Sequence, residues 1–152
     1  MADNYLEFSE TLDSLNPEEE KWLNEQLADD PDAGCPVFLV DYEYGDPDDS
    51  DYGFCVSFGG QGDTRHLWLY ADEHGDVARV AHLIQKFLKR FRPDQCWALG
   101  YATTCSKLRV GEFGGGAVFV TADDIHWQNT CDFIEEERAK FEAAKAPVEA
   151  AP

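Results

Sequence analysis

Apolar residues recur along this chain with two periods, and the switches between them mark the elements. From Tyr5 to Leu12 the period is two: Leu6, Phe8 and Leu12 alternate with Glu7, Ser9 and Thr11, while Glu10 breaks the apolar side. That is the pattern of a half-buried strand suited to a sheet edge. Asn16-Pro17-Glu18-Glu19 then opens a helix to about Ala28. Asn16 is a good N-cap, Pro17 fits the first turn, Glu19 can reach back to close a capping box, and the acids suit the positive end of the helix dipole. The apolar stripe of this helix, Trp22, Leu23 and Leu27, is short, so one face packs.

After a loop at 29–34, Pro36 to Tyr44 reads as a strand, PVFLVDYEY, rich in β-branched and aromatic residues. An acidic turn at 45–51 leads to a second strand, Tyr52 to Phe58, with Tyr52, Phe54, Val56 and Phe58 on one face. Glycines at 59, 60 and 62 turn the chain into a third strand, Thr64 to Ala71. Three strands joined by short polar turns predict an antiparallel meander.

The period then changes to 3.6. Val77, Val80, Ala81, Ile84, Phe87, Leu88 and Phe91 make one stripe, capped by Asp76 and stopped by Pro93. This predicts a central helix packed across the sheet. Gln95 to Thr103 alternates again, with Trp97, Leu99 and Tyr101 against Cys96, Ala98, Gly100 and Ala102. The small face suggests a close crossing by the central helix. A loop at 104–116 precedes a short buried strand, Ala117 to Thr121. Thr121-Ala122-Asp123-Asp124 matches capping-box spacing, and Trp127, Cys131, Ile134 and Phe141 place one stripe on a C-terminal helix. The predicted fold is a single α+β domain over residues 1–145, ordered β-α-β-β-β-α-β-β-α. Its antiparallel sheet has five or six strands around the amphipathic helix, and a flexible tail follows at 146–152.

Composition refines this picture. A chain of 152 residues with 43% hydrophobic and 13% aromatic content can bury one core of ordinary size. No apolar run approaches the ~20 residues of a membrane-spanning helix, and MADNYLEFSE lacks the basic and apolar regions of a secretory signal. Five cysteines, an odd number with no CxxC pair, argue for reduced, buried thiols in the cytoplasm rather than a disulfide framework or zinc ribbon.

Charge changes the picture most. The net charge is −19, and residues 1–52 hold 17 of the 31 acids with Lys21 as their one base. Such a surface repels acidic lipid headgroups and nucleic acid phosphates, which excludes direct binding to either. Folded carboxylates can instead imitate a phosphate array and occupy the Lys/Arg groove of a basic protein. The acids most suited are Glu18, Glu19, Asp41, Glu43, Asp46, Asp48, Asp49 and Asp51, interleaved with Trp22, Tyr42, Tyr44 and Tyr52 as possible anchors.

Catalytic chemistry has weaker support. The loop at 104–116 carries Cys105, Ser106, Lys107, Arg109 and Glu112 before three glycines, but GEFGGG is neither a Walker A loop nor a dinucleotide fingerprint. A thiol at Cys105 could be activated by Lys107, Arg109 and a histidine, although no family signature surrounds it. His66, His74, His82 and His126 are singletons without metal-ligand spacing. Asp46 to Asp51 imitates a calcium loop but lacks its glycine, and its twelfth position is Ser57. Lys86, Lys89, Arg90 and Arg92 crowd the end of the central helix, where cations complement the dipole. No catalytic residue, metal or cofactor is assigned, and an enzyme is the less favoured class.

The segments FRPDQCWAL and KLRVGEFGGGAVFVTADDIHW resemble small uncharacterised proteins of phages and mobile elements, over roughly Leu67 to Trp127. Mobile elements often carry small acidic proteins that block host defence nucleases. The resemblance therefore implies an anti-defence inhibitor and brings no activity or site residue with it. The expectation is an acidic binding protein, an inhibitor or nucleic-acid mimic, engaging a basic partner. A toxin-immunity protein or a small ligand-binding domain using Cys105, Lys107, Arg109 and Glu112 is the alternative.

Overall fold

The computed structural model of the protein describes residues 2–42 and 53–145. Six strands form one antiparallel sheet: β1 (Asn4–Leu12), β2 (Cys55–Gly59), β3 (His66–Ala71), β4 (Cys96–Cys105), β5 (Gly114–Thr121) and β6 (Ile125–Asn129). Their spatial order is β2-β3-β1-β4-β5-β6, so β1 lies inside the sheet, paired to both β3 and β4, and is not the edge strand that its polar alternation and Glu10 suggest. Three helices accompany them: α1 (Pro17–Leu27), α2 (Val77–Phe91) and α3 (Thr130–Lys145). The fold is a single α+β domain.

The helix starts follow their sequence signals. The Asn16 side chain accepts from Glu19 N at 2.8 Å, and the Glu19 carboxylate accepts from Asn16 N at 2.9 Å. Two of the orphan amide donors at the start of α1 are satisfied by this reciprocal pair. Asp76 caps α2 by accepting from Arg79 N. The stripe of α2 is the centre of the core: Val80, Ala81, Ile84 and Phe87 have no exposed surface, and they share the core with Leu67, Leu69, Leu99, Val118 and Val120.

Four further expectations change. Pro36 to Tyr44 does not begin as a strand. Its described part, to Tyr42, holds a 3-10 turn at Val37–Leu39 that buries Phe38 and Leu39, and only Pro36 bridges backbone, to Asp29. A short apolar run fits a buried plug as well as a strand, and periodicity alone does not separate them. Glu43, Tyr44 and the acidic turn lie outside the described residues, as do Tyr52 and the tail at 146–152. The predicted meander is thus the β2–β3 hairpin alone among the described residues.

Second, Trp127 belongs to β6 and not to a helix. Thr121 and Asp124 close a tight turn instead of a cap: Thr121 N donates to Asp124 O at 2.8 Å and Asp124 N to Thr121 Oγ1 at 2.9 Å. The same threonine-to-acid spacing serves either purpose. The cap of α3 is Asn129, whose Oδ1 accepts from Asp132 N.

Third, the small residues of β4 do not lie under α2. Trp97 and Leu99 face the helix and are buried, while Cys96, Ala98, Gly100 and Ala102 are on the opposite, exposed face. Fourth, the thiols are not generally buried: Cys105 is, Cys35 is half-buried, and Cys55, Cys96 and Cys131 are exposed; all five are free.

Candidate functional site

Two regions received the candidate residues, and the structure treats them differently. In the acidic region, Glu18 is exposed on the first turn of α1. Glu19 is not: its side chain is 5% exposed and bidentate with Arg92, at 2.9 Å from Nε and 3.1 Å from the terminal nitrogen. Glu19 therefore holds α1 to the end of α2 and is unavailable to an outside partner. Asp41 is exposed but engaged, with Lys86 Nζ at 2.8 Å and His82 Nε2 at 3.4 Å. His82 points this nitrogen at Phe38 O as well, at 3.0 Å, so it must donate there. Partial burial pushes the Asp41 carboxyl up, but the bonds from Lys86 and His82 outweigh it and hold it below the ordinary carboxylate range. Glu20, not singled out from sequence, accepts from Arg65 Nε, and that bond holds its carboxyl low. Glu43, Asp46, Asp48, Asp49 and Asp51 lie outside the described residues.

These pairs also account for the basic residues at the end of α2. Lys86 and Arg92 face acids from the first third of the chain, and Lys89 and Arg90 remain exposed. The cluster ties the acidic segment to the helix.

The loop at 104–116 is shorter than expected, because β4 continues to Cys105 and β5 starts at Gly114. The glycines are strand residues with a packing reason. A Cβ at Gly116 would stand 2.6 Å from the Tyr101 hydroxyl, and one at Gly115 would stand 2.5 Å from Tyr101 O. Tyr101 is half-buried, and burial, with Asp132 and Cys131 nearby, raises its phenol pKa. Lys107 and Arg109 sit in the exposed turn. Cys105 makes no hydrogen bond to a histidine among the described residues, so no nucleophile pair is formed there.

Glu112 and His74 line one cleft. An open cavity of about 730 Å³ lies between the start of α2, β1 and the 106–113 turn, lined by Tyr5, His74, Asp76, Arg79, Thr104 and Glu112 among others. Its wall is built by backbone bonds: Leu6 N donates to Glu73 O at 2.7 Å, Gly75 N to Leu6 O at 3.1 Å, and Asp76 N to Gly53 O at 2.8 Å. Glycine is required at Gly53, where φ is +79° and a Cβ would meet Asp76 Cβ at 2.7 Å. Tyr5 and His74 stack at 6.5 Å. Arg79 is buried in the cleft wall with its Nε 3.3 Å from Asp76 Oδ2. Desolvation, then Asp3 and Glu73, raise the Tyr5 phenol. No cluster of three metal-ligating side chains occurs among the described residues. Nor, among them, is any helix long and apolar enough to cross a membrane.

No family model matches the chain, and no curated protein does. Among solved structures it is similar to LarC2, the C-terminal domain of a cyclometallase involved in the synthesis of the NPN cofactor of lactate racemase, in its apo form. The likeness covers 98% of this chain and 99% of that one at 16% identity, with a TM-score of 0.30, too low to carry a fold or functional argument.

Proposed function

We propose that the protein is a non-enzymatic binding protein that engages a basic protein partner, as an inhibitor or nucleic-acid mimic, through its anionic surface. The observation that carries this reading is the charge: −19 overall, with 17 acids and one base in residues 1–52. Of the acids there, Asp3, Glu7, Asp13, Glu18, Glu25, Asp29 and Asp32 are exposed and form no ion pair among the described residues, so their field reaches solvent. A field of this sign steers a cationic partner and speeds encounter, with strong salt dependence. Five free cysteines agree with a reducing cytoplasm as the place of action. Reversing Asp46, Asp48 and Asp49 to lysine should slow association with a partner captured from the native host and flatten its salt dependence. An unchanged association rate in that variant removes this reading.

One observation favours a second reading, a small-ligand domain: the cleft places Glu112 beside the wall that carries His74 and Tyr5. Thermal shifts across a metabolite panel test it. A ligand whose shift disappears in His74→Ala supports it, and a panel without any shift counts against it.

A further inference from the structure

Among the described residues, one face of the sheet has no helix over it. Strand registers give its layout. On one half of the sheet Ser57, Trp68 and Thr11 stand abreast, as do Cys55, Tyr70 and Ser9; on the other half Ala98, Phe119 and His126 stand abreast, as do Gly100, Ala117 and Gln128. Large rings therefore rise on β3 and β5, and small residues of β1 and β4 lie between them. Trp68 and Tyr70 stack at 3.8 Å, and the Trp68 indole donates to Ser9 Oγ at 2.8 Å, so this ridge is held upright. Trp68 is 39% exposed and Phe119 44%. An open trough of about 720 Å³ runs beside the Trp68–Tyr70 ridge, over Ser9, Gly100 and Ala102. At its end Glu7 faces Asp72, one step beyond the Phe8–Ala71 pair, and both carboxylates line it and are exposed. None of the six strands contains a lysine or arginine.

We propose that this trough is the docking surface for the basic partner, and that it receives an amphipathic helix of that partner bearing arginine or lysine. The proposal rests on the reading above and names where the partner sits. The ridges are three strand spacings apart, roughly 14 Å, which admits an α-helix about 10 Å across. A floor of glycine and alanine lets a helix approach closely. Glu7 and Asp72 offer carboxylates to its cations, and the Trp68 face offers a cation–π platform. A second copy of this chain is disfavoured as occupant, since two molecules of −19 repel one another. A basic helix finds no cation on these strands to oppose it.

Gly100 supplies a clean test. A Cβ there meets nothing nearer than Gly116 O at 3.9 Å, and Gly100 is exposed, so a larger side chain is directed into the trough. The probe is a fluorescein-labelled amphipathic peptide of leucine, alanine and arginine, with a control in which glutamate replaces arginine, read by anisotropy. The arginine peptide should bind and the glutamate peptide should not. Gly100→Leu should weaken binding at least tenfold, with Ala98→Leu as a second block if the first misfolds. Glu7→Gln with Asp72→Asn should weaken it severalfold and flatten its salt dependence. Full affinity in the blocked variants overturns the trough while leaving the basic-partner reading intact. Failure of the arginine peptide to bind the unaltered protein also overturns the trough, and the lysine reversals at 46, 48 and 49 then decide the broader reading. A dimer that Gly100→Leu dissolves assigns the trough to a second copy, through the exposed Phe133, Ile134 and Phe141 of α3, and overturns the proposal.

Discussion

The two faces of one sheet differ in what they bury and what they leave to water. On the covered face, Leu67, Leu69, Leu99, Val118 and Val120 have at most 1% of their surface exposed and meet the stripe of α2. On the open face, the neighbours of those residues in each strand are Trp68, Tyr70, Gly100, Ala117 and Phe119. The covered face obeys close packing, where lost volume is costly. The open face alternates ridges with a floor and leaves rings half in water, which contributes little to folding. An antiparallel sheet can leave one face to water, but that face is then ordinarily polar. Here it is aromatic and small-residue-rich, which is why the proposed recognition surface lies on the side opposite the core.

The contrast can be broken most forcefully in the core. Phe87→Ala, on the covered side, should cost about 3–5 kcal/mol in denaturant unfolding, whereas Trp68→Ala on the open side should cost about 1 kcal/mol or less. Equal losses would dissolve the distinction. Slightly smaller is the expected effect of Arg92→Ala. It leaves the buried Glu19 carboxylate without its bidentate partner, at a cost of roughly 3 kcal/mol. Arg92→Ala with Glu19→Gln should recover part of that loss.

The acid range sharpens the account next. Glu20 and Asp41 have folded pKa values below the ordinary carboxylate value. Groups of this kind stabilise the fold above an unfolded pKa of about 4, and that stabilisation is lost as pH falls through the lower folded values. Both are exposed enough for solvent to screen them, so the effect is modest. Glu20→Gln with Asp41→Asn should therefore make the fall in stability below about pH 4 shallower while leaving its relative course near neutrality unchanged. Smallest of all is Gly100→Leu, which replaces a strand glycine by a side chain with room to stand, and should change stability by no more than about 1 kcal/mol.

Much of the covered side was legible in the sequence. Asn16 with Glu19 and Asp76 before an unbroken stripe announced α1 and α2, because caps and periodicity are local signals. The segment at Val37–Leu39 was not legible, since an apolar run states burial and not backbone shape. Trp127 and Thr121 to Asp124 misled because one spacing of threonine and acid fits a helix start and a hairpin turn alike. The small face of β4 was seen, but which face α2 covers is a tertiary fact. Among the site candidates, Glu18 is exposed at a helix start that local signals mark, while the burial of Glu19 follows from Arg92, seventy-three residues away in sequence. The cleft at Glu112 and His74 joins distant segments and had no local signal beyond the two residues themselves.

Residue-by-residue chemical-shift mapping with the arginine-bearing peptide tests the central claim most directly. The account predicts shifts at Trp68, Tyr70, Gly100 and Ala117, with the Trp68 indole among the largest, and little change along α2. Shifts gathered instead at Tyr5, His74 and Glu112, or along α1 around Glu18, would contradict the assignment of recognition to the open face.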